Sequence, residues 1–295
     1  MTTRLILDTD IGSDVDDAWA LALCIASVEI CLHGVTLVHA NLDVRARVAL
    51  KMLKLAGRSD VPVYKGISKP LTPDLPCHWA GFEGTETDFS DIDESHAKDN
   101  AIDFILETVD KYPGEVVIAP IGPLTNVAAA IERAPDTMRK LKRLAIMGST
   151  YQGEGPDCAG AEHNIRCDPV AAKIVLESGI PTTLVGLNVT GQVVIKRQDL
   201  ANIKNTPFGD YLAAMTEQIY KLWHIEATYM HDPLAVATQI DASLVSTRKM
   251  SACVLEEGKV AFRADEAGSL DVCVDVDVSR FEELLLSRVA ALSNR

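Results

Sequence analysis

Arg4-Leu5-Ile6-Leu7-Asp8-Thr9-Asp10-Ile11-Gly12-Ser13-Asp14-Val15-Asp16-Asp17-Ala18 is the stretch from which the rest of the chain can be read. Arg4–Leu7 is a short β-run, and Asp17–Ala26 is rich in Ala and Leu and reads as a helix. A strand that passes into a helix through a glycine-containing turn opens an α/β unit. That turn region holds five aspartates, at 8, 10, 14, 16 and 17. Asp8 and Asp10 are two apart on a strand, so their side chains are expected on the same side. Asp16 and Asp17 alone would be ordinary complements of a helix start. Five carboxylates this close repel one another unless a cation neutralises them. An all-oxygen ligand set suits a hard divalent ion, calcium or magnesium, better than zinc. No Glu closes a twelve-residue loop, so the spacing is not that of a calcium-binding helix–loop–helix.

The alternation continues outward. Strands are expected at Gly34–Val38, Val61–Tyr64, Glu115–Ala119, Arg143–Met147 and Thr182–Val189, and again around Ala252–Ala261 and Ser269–Val274. Helices are expected at Val44–Ala56, Ala97–Lys111, Leu124–Arg133, Pro169–Glu177, Phe208–Tyr229 and Ser279–Leu292, with another opened by Pro233. Lys65–Asp93 and Gly148–Ile165 show no period, and long irregular stretches of this kind usually serve function. The fold class is therefore α/β: an open, mostly parallel, Rossmann-like sheet with helices on both faces. In such sheets ligands bind beyond the carboxyl ends of the strands. The polar clusters of this chain fall there.

Bulk properties narrow the functions. The 295 residues are 47% hydrophobic, enough for a large core, and carry a net charge of −14 with a pI near 4.9. An acidic surface repels phosphate backbones, which argues against nucleic acid or an anionic membrane as partner. No stretch reaches the length of a membrane span. The N-terminus runs into the first strand with no basic segment ahead of a separate apolar one, so a cytoplasmic protein is expected. Seven cysteines, an odd number without CxxC spacing, read as free thiols of a reducing compartment.

Several separated motifs, in order, then give the chain a resemblance to the inosine-uridine preferring nucleoside hydrolase family. They are Asp8-x-Asp10-x-Gly12 leading to Asp16-Asp17-Ala18; Asn41 with Asp60-Val61-Pro62-Val63-Tyr64-Lys65-Gly66; Gly122-Pro123-Leu124-Thr125-Asn126; Met147-Gly148 with Ala161-Glu162-His163-Asn164 and Asp168-Pro169; and His231-Asp232-Pro233. The resemblance spans nearly the whole chain. It implies one nucleoside hydrolase domain over residues 1–295 that uses water to cut the bond between ribose and nucleobase. It also implies a calcium ion held by Asp10, Asp17, Asp232 and the backbone carbonyl of Ile121. Asp10 would take the proton of a metal-held water. Asp16, Asn41, Glu162 and Asn164 would hold the ribose hydroxyls, His78 would contact the substrate, and His231 would protonate the departing base. The implied partner is a small-molecule nucleoside, and the implied assembly a homo-oligomer, dimer or tetramer.

The chain departs from the family pattern in three places. The first motif carries two extra residues, so Asp14 stands as the alternative to Asp16. Pro156 occupies the place of an Asn, beside Asp157, and removes a side-chain contact to the 5′-hydroxyl. Trp79 replaces a small residue after His78 and, with Trp223 and Tyr229, is a candidate to stack on the base. His39, His163 and His224 receive no role, and His163 is expected to face away from its two neighbours' side. Two other readings compete. In a magnesium-dependent, haloacid dehalogenase-type phosphatase, Asp8 would be the nucleophile and Asp10 the acid/base, but the later Lys and acidic pair are missing. A non-catalytic nucleoside-binding relative would keep the metal without turnover; the retained Asp10, Asp17, Asp232 and His231 count against it.

Overall fold

The computed structural model describes residues 2–85, 87–153, 155–156 and 161–293. Its strands are β1 (Thr3–Thr9), β2 (Ile30–Leu37), β3 (Val63–Lys65), β4 (Ala97–Lys98), β5 (Val116–Pro120), β6 (Arg143–Met147), β7 (Gly155–Pro156), β8 (Thr182–Val185), β9 (Val194–Lys196), β10 (Ala227–Tyr229), β11 (Val245–Val254), β12 (Val260–Ala264) and β13 (Leu270–Val276). Its helices are α1 (Asp16–Ala26), α2 (Leu42–Leu55), α3 (Ala101–Lys111), α4 (Thr125–Arg133), α5 (Pro135–Met138), α6 (His163–Cys167), α7 (Pro169–Leu176), α8 (Leu187–Thr190), α9 (Pro207–Trp223), α10 (His231–Ala237) and α11 (Val278–Ser293). Among the described residues, one sheet runs in the order β4-β3-β2-β1-β5-β6-β8-β13-β11-β12-β7. It is parallel from β4 to β13 and antiparallel from β13 outward through β11 and β12 to β7. β9 and β10 form a separate antiparallel ribbon.

The central strands are apolar on both faces, as a sheet covered twice requires. Leu5 and Leu7 of β1 join the cluster under α1, α2, α9, α10 and α11, whereas Ile6 between them joins the cluster under α3, α4 and α7. β5 and β6 divide in the same way: Val117, Ala119, Ala145 and Met147 face one side, Val116, Ile118, Leu144 and Ile146 the other. Trp19 of α1 is fully buried and donates from Nε1 to Thr216 Oγ1 of α9 at 3.1 Å. The chain turns to β2 on one side of β1 and later to β5 on the other. That switch point opens a crevice beyond the carboxyl ends of β1 and β5.

The sheet is as expected, and several elements end differently. The segment expected as one strand from Thr182 to Val189 leaves the sheet after Val185 and turns at Gly186 into α8. A side chain at Gly186 would collide with Asn188 Oδ1 at 2.7 Å and crowd the Ser149 carbonyl oxygen at 3.1 Å. The expected helix Phe208–Tyr229 stops at Trp223, where His224 adopts a left-handed conformation (φ 54°), and the chain resumes as β10. Asn100 (φ 70°) likewise separates β4 from α3, which divides the expected helix Ala97–Lys111. The strand expected around Ala252–Ala261 is a hairpin, turned at Glu257 and Gly258, both with positive φ. Asp232 does not cap α10. The helix begins at His231, and the Asp232 side chain is free for the pocket described below.

The irregular segment 66–93 is held by polar anchors. Asp168, fully buried, accepts from the Leu71 and Thr72 amides at 2.7 and 3.1 Å, from the Thr72 and Thr125 hydroxyls at 2.8 Å, and from Ala171 N at 3.2 Å. Glu83, also buried, accepts from Ala80 N, Gly81 N and Ser13 Oγ. Replacing Asp168 with Ala strands several buried donors at once. Each hydrogen bond to a charged group contributes roughly 1.5–3 kcal/mol, so a loss of about 3 kcal/mol or more is expected. Thermal unfolding of Asp168→Ala should show a Tm lower by roughly 6–12 °C; a fall under about 2 °C would show that the anchor is dispensable.

Candidate active site

The crevice holds a cavity of about 330 Å³, and strand ends and helix starts supply its polar wall. Asp10 follows β1, Asp16 and Asp17 open α1, Ile121 follows β5, Glu162 and Asn164 flank the start of α6, and His231 and Asp232 open α10. His78 enters from the irregular segment. The structure thus brings nine of the ten residues singled out from the sequence to one pocket. Asn41 is the exception. The turn after β2 passes through left-handed His39 (φ 68°) and Ala40 (φ 57°), and the exposed Asn41 side chain caps α2 by accepting from Val44 N at 3.2 Å.

The carboxylates of Asp16, Asp17 and Asp232 approach within 4.8 Å of one another, and all three are buried. Burial, followed by repulsion from neighbouring aspartates, pushes Asp16 and Asp232 well above the ordinary carboxylate range; Asp17 is raised the same way, against the hydroxyl of Thr9 that donates to it. Asp14 lines the same pocket and is raised to about 6 by burial. Asp16 Oδ2 also accepts from Asp232 N at 3.3 Å, which ties the first strand–helix turn to α10. Asp10 faces the pocket but stands outside the tight triple. Its Oδ2 is 3.5 Å from Nη2 of Arg45, a guanidinium with no exposure that also donates to Ile11 O, His39 O and Ser13 Oγ. The donors are all oxygens, from a crowded acidic set with a backbone carbonyl beside it, and this fits a hard divalent cation rather than a soft one.

Close backbone approach makes the arrangement possible. A side chain at Gly122 would sit 2.6 Å from Asp10 Oδ1, so only glycine lets β5 deliver Ile121 against the end of β1. Ile121 O accepts from Asn164 Nδ2 at 2.7 Å, and that amide nitrogen also reaches Met147 O at 3.4 Å. Glu162 is the N-cap of α6: its carboxylate accepts from Asn164 N, Ile165 N and Ser149 N, and burial raises it to about 6. His231 Nδ1 lies 2.7 Å from Thr190 Oγ1, Tyr229 stacks on its ring at 5.3 Å, and burial lowers it to about 4.

Other expectations change. Asp8 does not share the pocket with Asp10. It is fully buried, accepts from Thr36 Oγ1 at 2.5 Å and Asn126 Nδ2 at 2.7 Å, and is pushed to about 7 by desolvation. β1 ends at Thr9, so the alternation that would have aligned Asp8 with Asp10 stops between them. A nucleophile at Asp8, as the phosphatase reading needs, is walled off. Trp223 lines the pocket, but Trp79 does not: its ring lies beneath the Arg45 guanidinium at 5.4 Å. His163 lines the pocket rather than facing away. Pro156 lies in β7, opposite Ala261, and Asp157 lies outside the described residues. Sequence reasoning missed Arg45. Its signal was a charge on the buried stripe of α2, in line with Val48, Ala49 and Met52.

Residues 5–283 match the inosine-uridine preferring nucleoside hydrolase family. Uridine nucleosidase 1 of Arabidopsis thaliana is 33% identical over 83% of this chain and 76% of its own length. The pyrimidine-specific ribonucleoside hydrolase RihA of Citrobacter koseri is 31% identical over 98% of this chain and 99% of its own. Among solved structures, a plant nucleoside hydrolase superposes with a TM-score of 0.86 at 30% identity, over 99% of this chain and 100% of that one. An acidic crevice at the switch point of a parallel sheet, in a chain matched over residues 5–283 by the family model, places the chain in the inosine-uridine preferring nucleoside hydrolase family, metal-dependent enzymes that hydrolyse ribonucleosides to ribose and free base.

Proposed function

We propose that this chain is a calcium-dependent ribonucleoside hydrolase with a preference for pyrimidine nucleosides, uridine first. The observation that carries the reading is the convergence of Asp10, Asp16, Asp17, Ile121 and Asp232 in one buried crevice with His231 at its wall. The pyrimidine preference is supported by the names of the curated relatives. A divalent cation, calcium on the resemblance, held by Asp10, Asp17, Asp232 and the Ile121 carbonyl, would supply a grip on sugar hydroxyls and lower the pKa of a water.

Asp10 is the base that takes the proton of the attacking water. Arg45 holds its Oδ2 from behind, which leaves the other oxygen for that task. The glycosidic bond opens toward an oxocarbenium ion, and the surrounding carboxylates stabilise the positive charge growing on the ribose ring. Asp16 and Asn164 grip the sugar hydroxyls. The Asn164 amide nitrogen is spent on Ile121, so its oxygen is the group left to accept. Glu162 lends shape more than contact, because three backbone amides already occupy it. His231, held neutral by burial, pairs at Nδ1 with the Thr190 hydroxyl; in the tautomer in which Thr190 donates, the ring proton is on Nε2, from which it would be given to the departing base as negative charge builds there. Trp223 in the pocket lining is the aromatic group available to cover the base, and Tyr229 backs the His231 ring. An eleven-stranded sheet that draws strands from β1 to β13 supports reading residues 1–295 as one domain. A homo-oligomeric assembly and a cytoplasmic location, expected from the sequence, complete the proposal; among the described residues no helix is long and apolar enough to cross a membrane.

Release of reducing sugar from uridine, cytidine, inosine, adenosine and guanosine, with and without a calcium chelator, tests this directly. Chelator-sensitive release, fastest from uridine, is expected. Asp10→Asn should lower kcat by at least about a hundredfold while ligand binding survives, and His231→Ala by roughly the same factor. Turnover that persists in Asp10→Asn would remove Asp10 from the role of base.

Stability carries a second signature. Asp8, raised to about 7, and Asp16, Asp17 and Asp232, raised well above their usual range, bind protons more readily folded than unfolded. Stability of the cation-free protein therefore falls as pH rises through the window where these groups ionise. His39, His163 and His231, all lowered, act oppositely, but only below the ordinary histidine pKa of about 6.5. In chelator, Tm should drop by several degrees between pH 6.5 and 8.5, and saturating calcium should raise it most at the alkaline end. A Tm that rises with pH across that range in chelator would contradict the assignment.

A further inference from the structure

Beside its carboxylates the crevice has a second group of donors, and these are soft. His163 and Cys167 are four residues apart in α6 and share one face of it. Nε2 of His163 stands 3.4 Å from Sγ of Cys167. The ring of His78 meets that of His163 edge to face, with centroids 5.5 Å apart and planes at 84°. Both histidines line the cavity, and Cys167 is buried next to them.

These separations are close to those of ligands on one metal ion. On a tetrahedral zinc, with Zn–N of about 2.0–2.1 Å and Zn–S of about 2.3 Å, a nitrogen and a sulfur stand about 3.6 Å apart and two imidazole centres about 5 Å apart. Two ligands at i and i+4 of a helix are also the spacing with which a helical motif grips zinc. Calcium does not compete for such donors, because a hard ion takes oxygen. Burial pushes the Cys167 thiol up to about 12, so the sulfur is protonated in the metal-free protein. The proton leaves to solvent as the sulfur–metal bond forms, an exchange that needs an ion with strong affinity for thiolate.

We propose that His163 and Cys167 chelate a thiophilic divalent cation, zinc, that His78 turns to complete the grip, and that the ion held there obstructs the substrate pocket. Among the described residues, Asp16, Asp17 and Asp232 are the one ready-made triple of such ligands. The histidine–cysteine site is therefore a two-point chelate that recruits its third ligand from the irregular segment, which makes the ion exchangeable rather than structural. The obstruction rests on the hydrolase reading above, whereas the binding does not.

The test titrates calcium-saturated protein, kept reduced with a phosphine, with cobalt(II) as a spectroscopic substitute for zinc. A sulfur-to-cobalt charge-transfer band in the near ultraviolet is expected, bleached by added zinc. Even residues that only orient a metal ligand cost about tenfold or more in metal affinity, so Cys167→Ala should lose the band and bind zinc at least about tenfold more weakly. Cys167→Ser, closer in size, should do the same, and Cys77→Ala should keep both the band and the affinity. In saturating calcium, zinc should inhibit release of reducing sugar from the best ribonucleoside, reversibly on chelation, and Cys167→Ala should keep its activity and resist that inhibition. Cobalt bound with no sulfur band in the wild type would overturn the site, as would a band that survives in Cys167→Ala and Cys167→Ser. Equal inhibition of wild type and Cys167→Ala by zinc would place the inhibiting ion on the carboxylates and overturn the obstruction. A sulfur band in a protein that cleaves no nucleoside would remove the hydrolase reading and leave the site standing.

Discussion

Repulsion among the buried carboxylates at the end of β1 and the starts of α1 and α10 is the constraint around which this molecule is organised. Asp10, Asp16 and Asp17 lie more than two hundred residues from Asp232, yet the four share one crevice. Left in water they would separate. The fold holds them by burying the groups that carry them: Trp19 and the rest of α1 pack against α9, α10 and α11, so the acidic turn cannot relax without opening the core. Partial compensation is local. Thr9 donates to Asp17, Asp232 N donates to Asp16, and Arg45 approaches Asp10. What remains uncompensated is repulsion of the kind that a divalent cation among these carboxylates would relieve.

A second buried aspartate explains why the crevice has its shape. Asp8 is not part of the pocket, but it accepts from Asn126, whose amide also donates to Leu37 O and accepts from Ile67 N. One amide thus joins the carboxyl ends of β1 and β2 to the beginning of the irregular segment. A side chain at Gly66 would overlap Asn126, at 2.3 Å from its Oδ1. Strand order sets the crevice, and Asn126 with Asp8 keeps its rim from splaying. Asp168 and Glu83 extend the same logic outward, so that a segment with almost no regular structure still presents His78 at a fixed place.

Much of this was legible from residue order. The parallel sheet followed from apolar runs buried on both faces, whereas its edge strands β4 and β7 and the separate ribbon of β9 and β10 were harder, because each is two or three residues long, too short for any period. Helix ends were misread where a left-handed residue that is not glycine, His224 or Asn100, breaks the chain. In the site, residues on strand ends and helix starts were found because their position follows from topology. Asn41 failed because two consecutive left-handed residues redirect the chain just before it, and no local rule forecasts that for His39 and Ala40. His163 failed for a related reason: alternation along an extended segment predicted its direction, but Glu162 caps a helix there, and helical geometry turns the side chain into the pocket. Arg45 was visible as a charge on an apolar stripe, but its partner, contributed by another element, was not.

The two halves of the pocket have different origins, and this bears on how specificity can vary. The floor is made at the ends of β1 and β5 and the starts of α1 and α10, elements locked into the largest apolar cluster. The walls come from His78 in the irregular segment, from α6, and from Trp223 at the frayed end of α9, where the chain leaves the helix through a left-handed residue. Substitution in the floor disturbs both charge balance and core, whereas substitution of His78 or Trp223 in the walls removes no buried charge. Chemistry at the sugar is thereby insulated from changes in what is recognised around it. Asp14, the alternative to Asp16 left open by the longer first motif, fits the same division: it belongs to the floor turn by sequence, but among the described residues it hydrogen-bonds only its own neighbour Val15, and so adds an acidic group to the pocket without joining the lattice that holds the turn in place.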